Sequence, residues 1–129
     1  MNEDMELYGI ACSDKFYRLA YFISKTIQTD LIIKTQVNQF HSKFREAFNF
    51  YFAYDGDSEF YLLESKIQNT PILKKYRNIG YYLLIKTKFP GMKKHDFSLL
   101  FSSITVIQAS FKLTNDADIE AISALFSEE

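Results

Sequence analysis

The chain has 129 residues, 47% of them hydrophobic and 24% charged, with a formal net charge of -1 at pH 7. That composition excludes a largely disordered chain and leaves room for one hydrophobic core, so residues 1–129 are read as a single α+β domain. Cys12 is the one cysteine, which excludes an intramolecular disulfide, and no apolar run approaches the length of a membrane span.

The first residues, MNEDMELYG, are acidic and lack the pattern of a signal peptide, so a cytoplasmic protein with no membrane partner is expected. ELYGIAC, residues 6–12, is almost continuously apolar and reads as a strand covered on both faces. Ser13 or Asp14 is expected to cap the helix that follows. Its apolar stripe is Phe16, Leu19, Ala20, Ile23 and Ile27, widened by Tyr17 and Tyr21. Residues 30–45 leave strand and helix both open: LIIK suits a strand, while Val37, Phe40 and Phe44 could line a weak helix.

NFYFAYDGDSEFYLLES is a hairpin pattern. Phe48, Phe50, Phe52 and Tyr54 alternate with smaller or polar neighbours, and Asp55-Gly56-Asp57-Ser58 supplies turn chemistry. The aromatic face is either core or a buried interface. A loop through Gln68, Asn69, Thr70 and Pro71 leads to a third strand, 79–86, with Tyr81, Leu83 and Ile85 on one side. Pro90-Gly91 marks a turn. A second helix fits 96–104, with Phe97, Leu100, Phe101 and Ile104 on its stripe. In the last strand Ile107, Ala109, Phe111 and Leu113 are expected to face in. Asn115 or Asp116 then caps a short acidic helix carrying Ile119, Ile122 and Phe126.

The expected fold is an antiparallel or mixed sheet of about five strands with two helices on one face. Its order is β-α-β-β-β-α-β, followed by a short C-terminal helix. This arrangement resembles the ferredoxin-like plan with an added strand.

Catalytic chemistry is thinly represented. His41 and His95 lie in no motif at metal-ligand spacing, and His95-Asp96 reads as a helix start with Asp96 as the cap. Asp55, Asp57 and Glu59 resemble part of a calcium loop, but position twelve holds Lys66, so solvated turn acids are the simpler reading. Cys12 sits in an apolar segment and reads as a small buried thiol. No catalytic residue, metal or cofactor is assigned, and a non-enzymatic protein is expected.

Charge is segregated along the chain. Between Glu64 and Asp96 there is no acidic residue, and that interval holds eight of the 15 Lys and Arg residues: Lys66, Lys74, Lys75, Arg77, Lys86, Lys88, Lys93 and Lys94. Asp116, Asp118, Glu120, Glu128 and Glu129 reverse the balance after Lys112. In LKKYRNIGYYLLIK, residues 73–86, the cations flank Tyr76. Base and aromatic together can hold phosphates and stack on bases, or steer an acidic protein into contact. The candidate binding residues are Lys74, Lys75, Tyr76, Arg77, Lys93 and Lys94.

YGIACSDKFYRLAYFISKTI, FNFYFAYD, FYLLESK and the spacing L-x5-I-x-YYLLIK together are similar to the IPExxxVDY family of small bacterial proteins. In the naming motif Leu73 stands at the Ile position, Lys74 at Pro, Lys75 at Glu, Ile79 at Val, Gly80 at Asp and Tyr81 at Tyr. The apolar anchors and the Tyr are kept, and both carboxylates are gone. The resemblance implies a setting among acyl carriers, RNA or metabolic regulation, with no activity and no residue attached to it. The leading expectation is an adaptor or regulatory binding module whose basic surface docks an acidic protein. The alternative is RNA binding through the same basic and aromatic surface. The aromatic excess (9 Tyr, 13 Phe) and the apolar side of the tail helix add a homodimer to the expected partners.

Overall fold

The computed structural model describes residues 4–38, 41, 43–88 and 96–126. Its elements are β1 (Asp4–Cys12), α1 (Phe16–Ile27), β2 (Ile32–Gln36), β3 (Phe48–Tyr54), β4 (Ser58–Glu64), β5 (Lys66–Ile67), β6 (Thr70–Pro71), β7 (Tyr81–Thr87), α2 (Phe97–Phe101), β8 (Ile107–Leu113) and α3 (Asp116–Ala124). Six strands form one sheet in the order β2-β3-β4-β7-β1-β8, and β5 pairs with β6 alone. Every neighbouring pair is antiparallel. The fold is therefore α+β. The inner order β8-β1-β7-β4, with α1 and α2 on one face, follows the ferredoxin-like plan. Two strands, β2 and β3, extend it at one edge, where a single added strand is expected from the sequence.

The sheet carries a core on each face. Tyr8 and Ile10 of β1, Phe60 and Leu62 of β4, and Tyr81, Leu83 and Ile85 of β7 point toward α1 and α2. Leu7, Leu63, Tyr82 and Leu84 point the other way, toward α3 and the segment 65–79. β7 is thus apolar at consecutive positions because both of its faces are covered, and each fully buried leucine contributes about 2 kcal/mol. Of the aromatic face of β3, Phe48, Phe50 and Phe52 belong to the second core, while Tyr54 at the strand end is 50% exposed. Phe126, just beyond α3, sits 4.8 Å from Phe50, 4.6 Å from Tyr61 and 5.9 Å from Phe48, ring centre to ring centre.

Local chemistry explains most element boundaries and corrects several expectations. The residue at the N-cap of α1 is Lys15, which makes no side-chain cap bond. Asp14 stands one position further out, where its carboxylate accepts from the Lys15 N–H and from Arg18 Nε, both at 2.8 Å. Those bonds, the one from Arg18 first, hold its carboxyl below the usual range. Asp96 does cap α2, accepting from Leu99 N–H, and Asn115 caps α3, accepting from Ala117 and Asp118 N–H. The expected turn at 55–58 forms as read: Asp55 Oδ1 accepts from Asp57 and Ser58, and Gly56 takes φ of 100°.

Within residues 30–45, Ile32–Gln36 is an edge strand. Gln68 and Asn69, read as loop, form a two-residue hairpin turn with both φ positive, 51° and 67°. The third strand starts at Tyr81 rather than at residue 79. α2 ends at Phe101, short of the expected 104, although Ile104 stays buried. β8 pairs with β1 across a register shift at Ala11/Cys12. Leu113 consequently joins the second core, while Ile107 packs on the first. Phe111, expected to face in, is 49% exposed. The Pro90-Gly91 turn and Phe40 lie outside the described residues.

Candidate functional site

Residues 72–80 cross the second face of the sheet between β6 and β7. Leu73 and Ile79 are buried and pin the two ends of the segment to the core. Between them Lys74, Lys75, Arg77 and Asn78 are exposed and Tyr76 is half-buried. Ile79 lies over Gly9 of β1. A methyl group added at Gly9 would overlap Ile79 Cδ1 and come within 3.2 Å of its Cγ1, so glycine there is what lets the segment close on the sheet.

Tyr76 folds back on the core, and its hydroxyl donates to Asp118 Oδ2 at 2.7 Å. Lys75 Nζ reaches the same oxygen at 3.1 Å. Asp118 is itself buried, on the side of α3 facing this segment. Its negative charge raises the pKa of both partners, through the Lys75 and Tyr76 hydrogen bonds first. Lys75 and Tyr76 therefore have a folding role that the sequence does not disclose: they neutralise a buried carboxylate and tie α3 to the segment.

Lys74 and Arg77 form no ion pair among the described residues. With Lys66 of β5 they surround a cavity of about 440 Å³, whose apolar lining comes from Pro71, Leu73 and Ile79. A second hollow of about 320 Å³ is lined by Lys75, Tyr76, Arg77 and Ile79 together with Phe111 and Leu113. Tyr76, Arg77 and Ile79 are common to both. Lys66 and Phe111 are the members absent from the candidates read in the sequence: the β5–β6 hairpin separates Lys66 from the cluster in the chain, and alternation turns Phe111 inward.

The acid-free interval does not form one face. Lys86 and Lys88 lie at the far end of β7, roughly 20 Å along the strand from residues 73–79. Lys86 lies 5.2 Å over the Tyr61 ring. Lys88 lies 3.9 Å from Glu59 and 5.5 Å over the Tyr54 ring. Lys93 and Lys94, like His95, lie outside the described residues. His41 has a local task, its Nδ1 accepting from the Lys43 and Phe44 N–H groups. The Cys12 thiol is half-buried and accepts from Asp14 N–H at 3.4 Å. Among the described residues no three His, Cys, Asp or Glu gather where they could hold a metal ion, and no helix is long and apolar enough to cross a membrane.

No family model, curated protein or solved structure matches the chain.

Proposed function

We propose that the chain is a non-enzymatic cytoplasmic binding module that docks an acidic segment of a partner protein on the surface around Lys66, Lys74 and Arg77. The observation that carries this reading is the convergence of those three cations around one concave, apolar-floored cavity. A carboxylate side chain next to an apolar one fits that chemistry: the cations hold the charge while Leu73 and Ile79 accept the apolar group. Phe111 and the second hollow extend the surface.

RNA binding is the second reading, with Phe111 rather than Tyr76 as the exposed ring available for stacking. The field around the site favours the first. Lys75 is neutralised by Asp118, and exposed Asp116 and Glu120 on α3 carry charge that repels a phosphate backbone. Three cations hold a short acidic peptide, whereas a nucleic acid needs a longer positive track.

The family reading stands beside this one. The motif positions that keep their apolar character, Leu73, Ile79 and Tyr81, are all buried. Where the pattern has Glu, Lys75 faces a carboxylate supplied by α3. On that support we take the chain as a divergent relative of the IPExxxVDY proteins.

The test is affinity capture from the source cell with wild-type protein and Lys74→Glu/Arg77→Glu, each lysate divided into nuclease-treated and untreated halves. Capture that survives nuclease and is lost on charge reversal supports the acidic-partner reading. Capture lost to nuclease favours RNA. Capture indifferent to both changes sinks the assignment of this surface.

A further inference from the structure

The sheet has two edges, and they are guarded differently. β8 pairs with β1 through the register shift at Ala11/Cys12, packs against α2, and directs Lys112 toward Glu6 at 4.0 Å. Irregular pairing, a covering helix and charge all discourage another strand from adding. Among the described residues β2 has no register shift and no covering helix, and only one charge. It pairs with β3 without a shift, contains no proline, and exposes Ile32 (56%) and Ile33 (53%), with Val37 just beyond it at 63%. Its one charge, Lys34, is turned back over the Phe52 ring of its own sheet at 5.5 Å. Among the described residues β2 therefore has no strand on its outer side, and its backbone N–H and C=O groups there lie beside β-branched apolar side chains.

We propose that β2 is the seat of a homodimer, in which two copies pair antiparallel edge to edge and join their sheets into one. The strand is complementary to itself. An antiparallel pair of identical strands has a two-fold axis. With that axis at Thr35, Thr35 meets Thr35, Lys34 meets Gln36 and Ile33 meets Val37. Two exposed β-branched residues on one side of the strand thus cover each other, and no like charges oppose. Moving the axis to Lys34 sets two ammonium groups against each other, an axis at Ile33 leaves Val37 beyond the paired strand, and one at Gln36 sets Val37 against Thr35, so the Thr35 register is the one that pairs the exposed Ile33 with Val37. Ile33 lies opposite Tyr51, whose ring packs on the first core. The Ile33–Val37 contacts extend that core across the axis. This dimer differs from the one expected from the aromatic excess, since the rings of β3 and Phe126 pack within one chain. It is independent of the basic surface.

Light scattering from micromolar to millimolar concentration should show a reversible dimer. Ile33→Lys and Val37→Lys, both at exposed positions, should each weaken it about tenfold or more while leaving the circular-dichroism spectrum unchanged. In a Cys12→Ser background, mild oxidation should cross-link Thr35→Cys. It should spare Ile32→Cys, whose copies stand roughly 20 Å apart in this register. A monomer throughout overturns the proposal, whether the edge then meets water or a strand of another protein. So does a dimer that tolerates both lysines, or one that cross-links through residue 32 rather than residue 35.

Discussion

Tyr76 and Asp118 are 42 residues apart in the chain and 2.7 Å apart in space, hydroxyl to carboxylate, and Lys75 shares the same oxygen. This contact decides how α3 sits. The helix could cover the second core through Ile122 alone, but a buried carboxylate would then be unpaired. Asp118→Ala should lower the midpoint of chemical denaturation, since it removes the acceptor of the Tyr76 hydroxyl and the contact that ties α3 to residues 72–80. Lys75→Met should cost less, because the lysine side chain is 54% exposed and its attraction is screened by water. An equal loss for both variants would contradict the account.

Tyr82 presents the opposite case. It is fully buried, and its hydroxyl has no hydrogen-bond partner among the described residues. Burial first, then the neighbouring Tyr76 and Asp118, push its pKa up to about 12 from the ordinary 10.0. The folded state thus keeps a proton that the unfolded state releases. The stability contributed is full below pH 10 and is lost as pH rises through about 12, a change of about 3 kcal/mol. Tyr8 and Tyr81 are shifted upward as well, chiefly by burial, and act in the same direction. Tyr82→Phe should gain about 1 kcal/mol at neutral pH and flatten the alkaline decline, measured by urea melts across pH 7–12.

Gly9 and Ile79 form a steric pair. Gly9→Ala drives a methyl group into Ile79 and should destabilise the fold by about 1–3 kcal/mol. Adding Ile79→Ala should recover part of that loss, so the double variant falls short of the sum of the singles. Strict additivity would show that the two residues do not touch.

Phe126 closes the aromatic cluster over β3 and β4. Phe126→Ala removes ring contacts to Phe48, Phe50 and Tyr61 and should cost roughly 2–3 kcal/mol. Phe126→Leu should restore about half of it. The exposed aromatic Phe111→Ala should change thermal stability little, and a large loss there would place Phe111 in the core after all.

Features that depend on neighbours in the chain are legible in the sequence. The stripe Leu19, Ala20, Ile23 and Ile27 makes α1, alternation with Asp55-Gly56-Asp57 makes the β3–β4 hairpin, and Tyr81, Leu83 and Ile85 share one side of β7. Period and turn chemistry are short-range, so residue order suffices for them. Alternation assigns a side but not a cover. Phe111 and Leu113 share a side of β8, yet Leu113 is buried and Phe111 faces solvent. Gln68-Asn69 hides a hairpin because no glycine marks its positive-φ turn.

The basic cluster shows the same division. Its cations can be counted from the sequence, but their partners depend on where the sheet carries each segment. Lys75 finds Asp118 because α3 returns over the face that residues 72–80 cross. Lys74 and Arg77 meet Lys66 because the β5–β6 hairpin turns back beside them. β2 becomes an edge through strand order alone, and that order arises from long-range antiparallel pairing, which no local pattern of residues encodes.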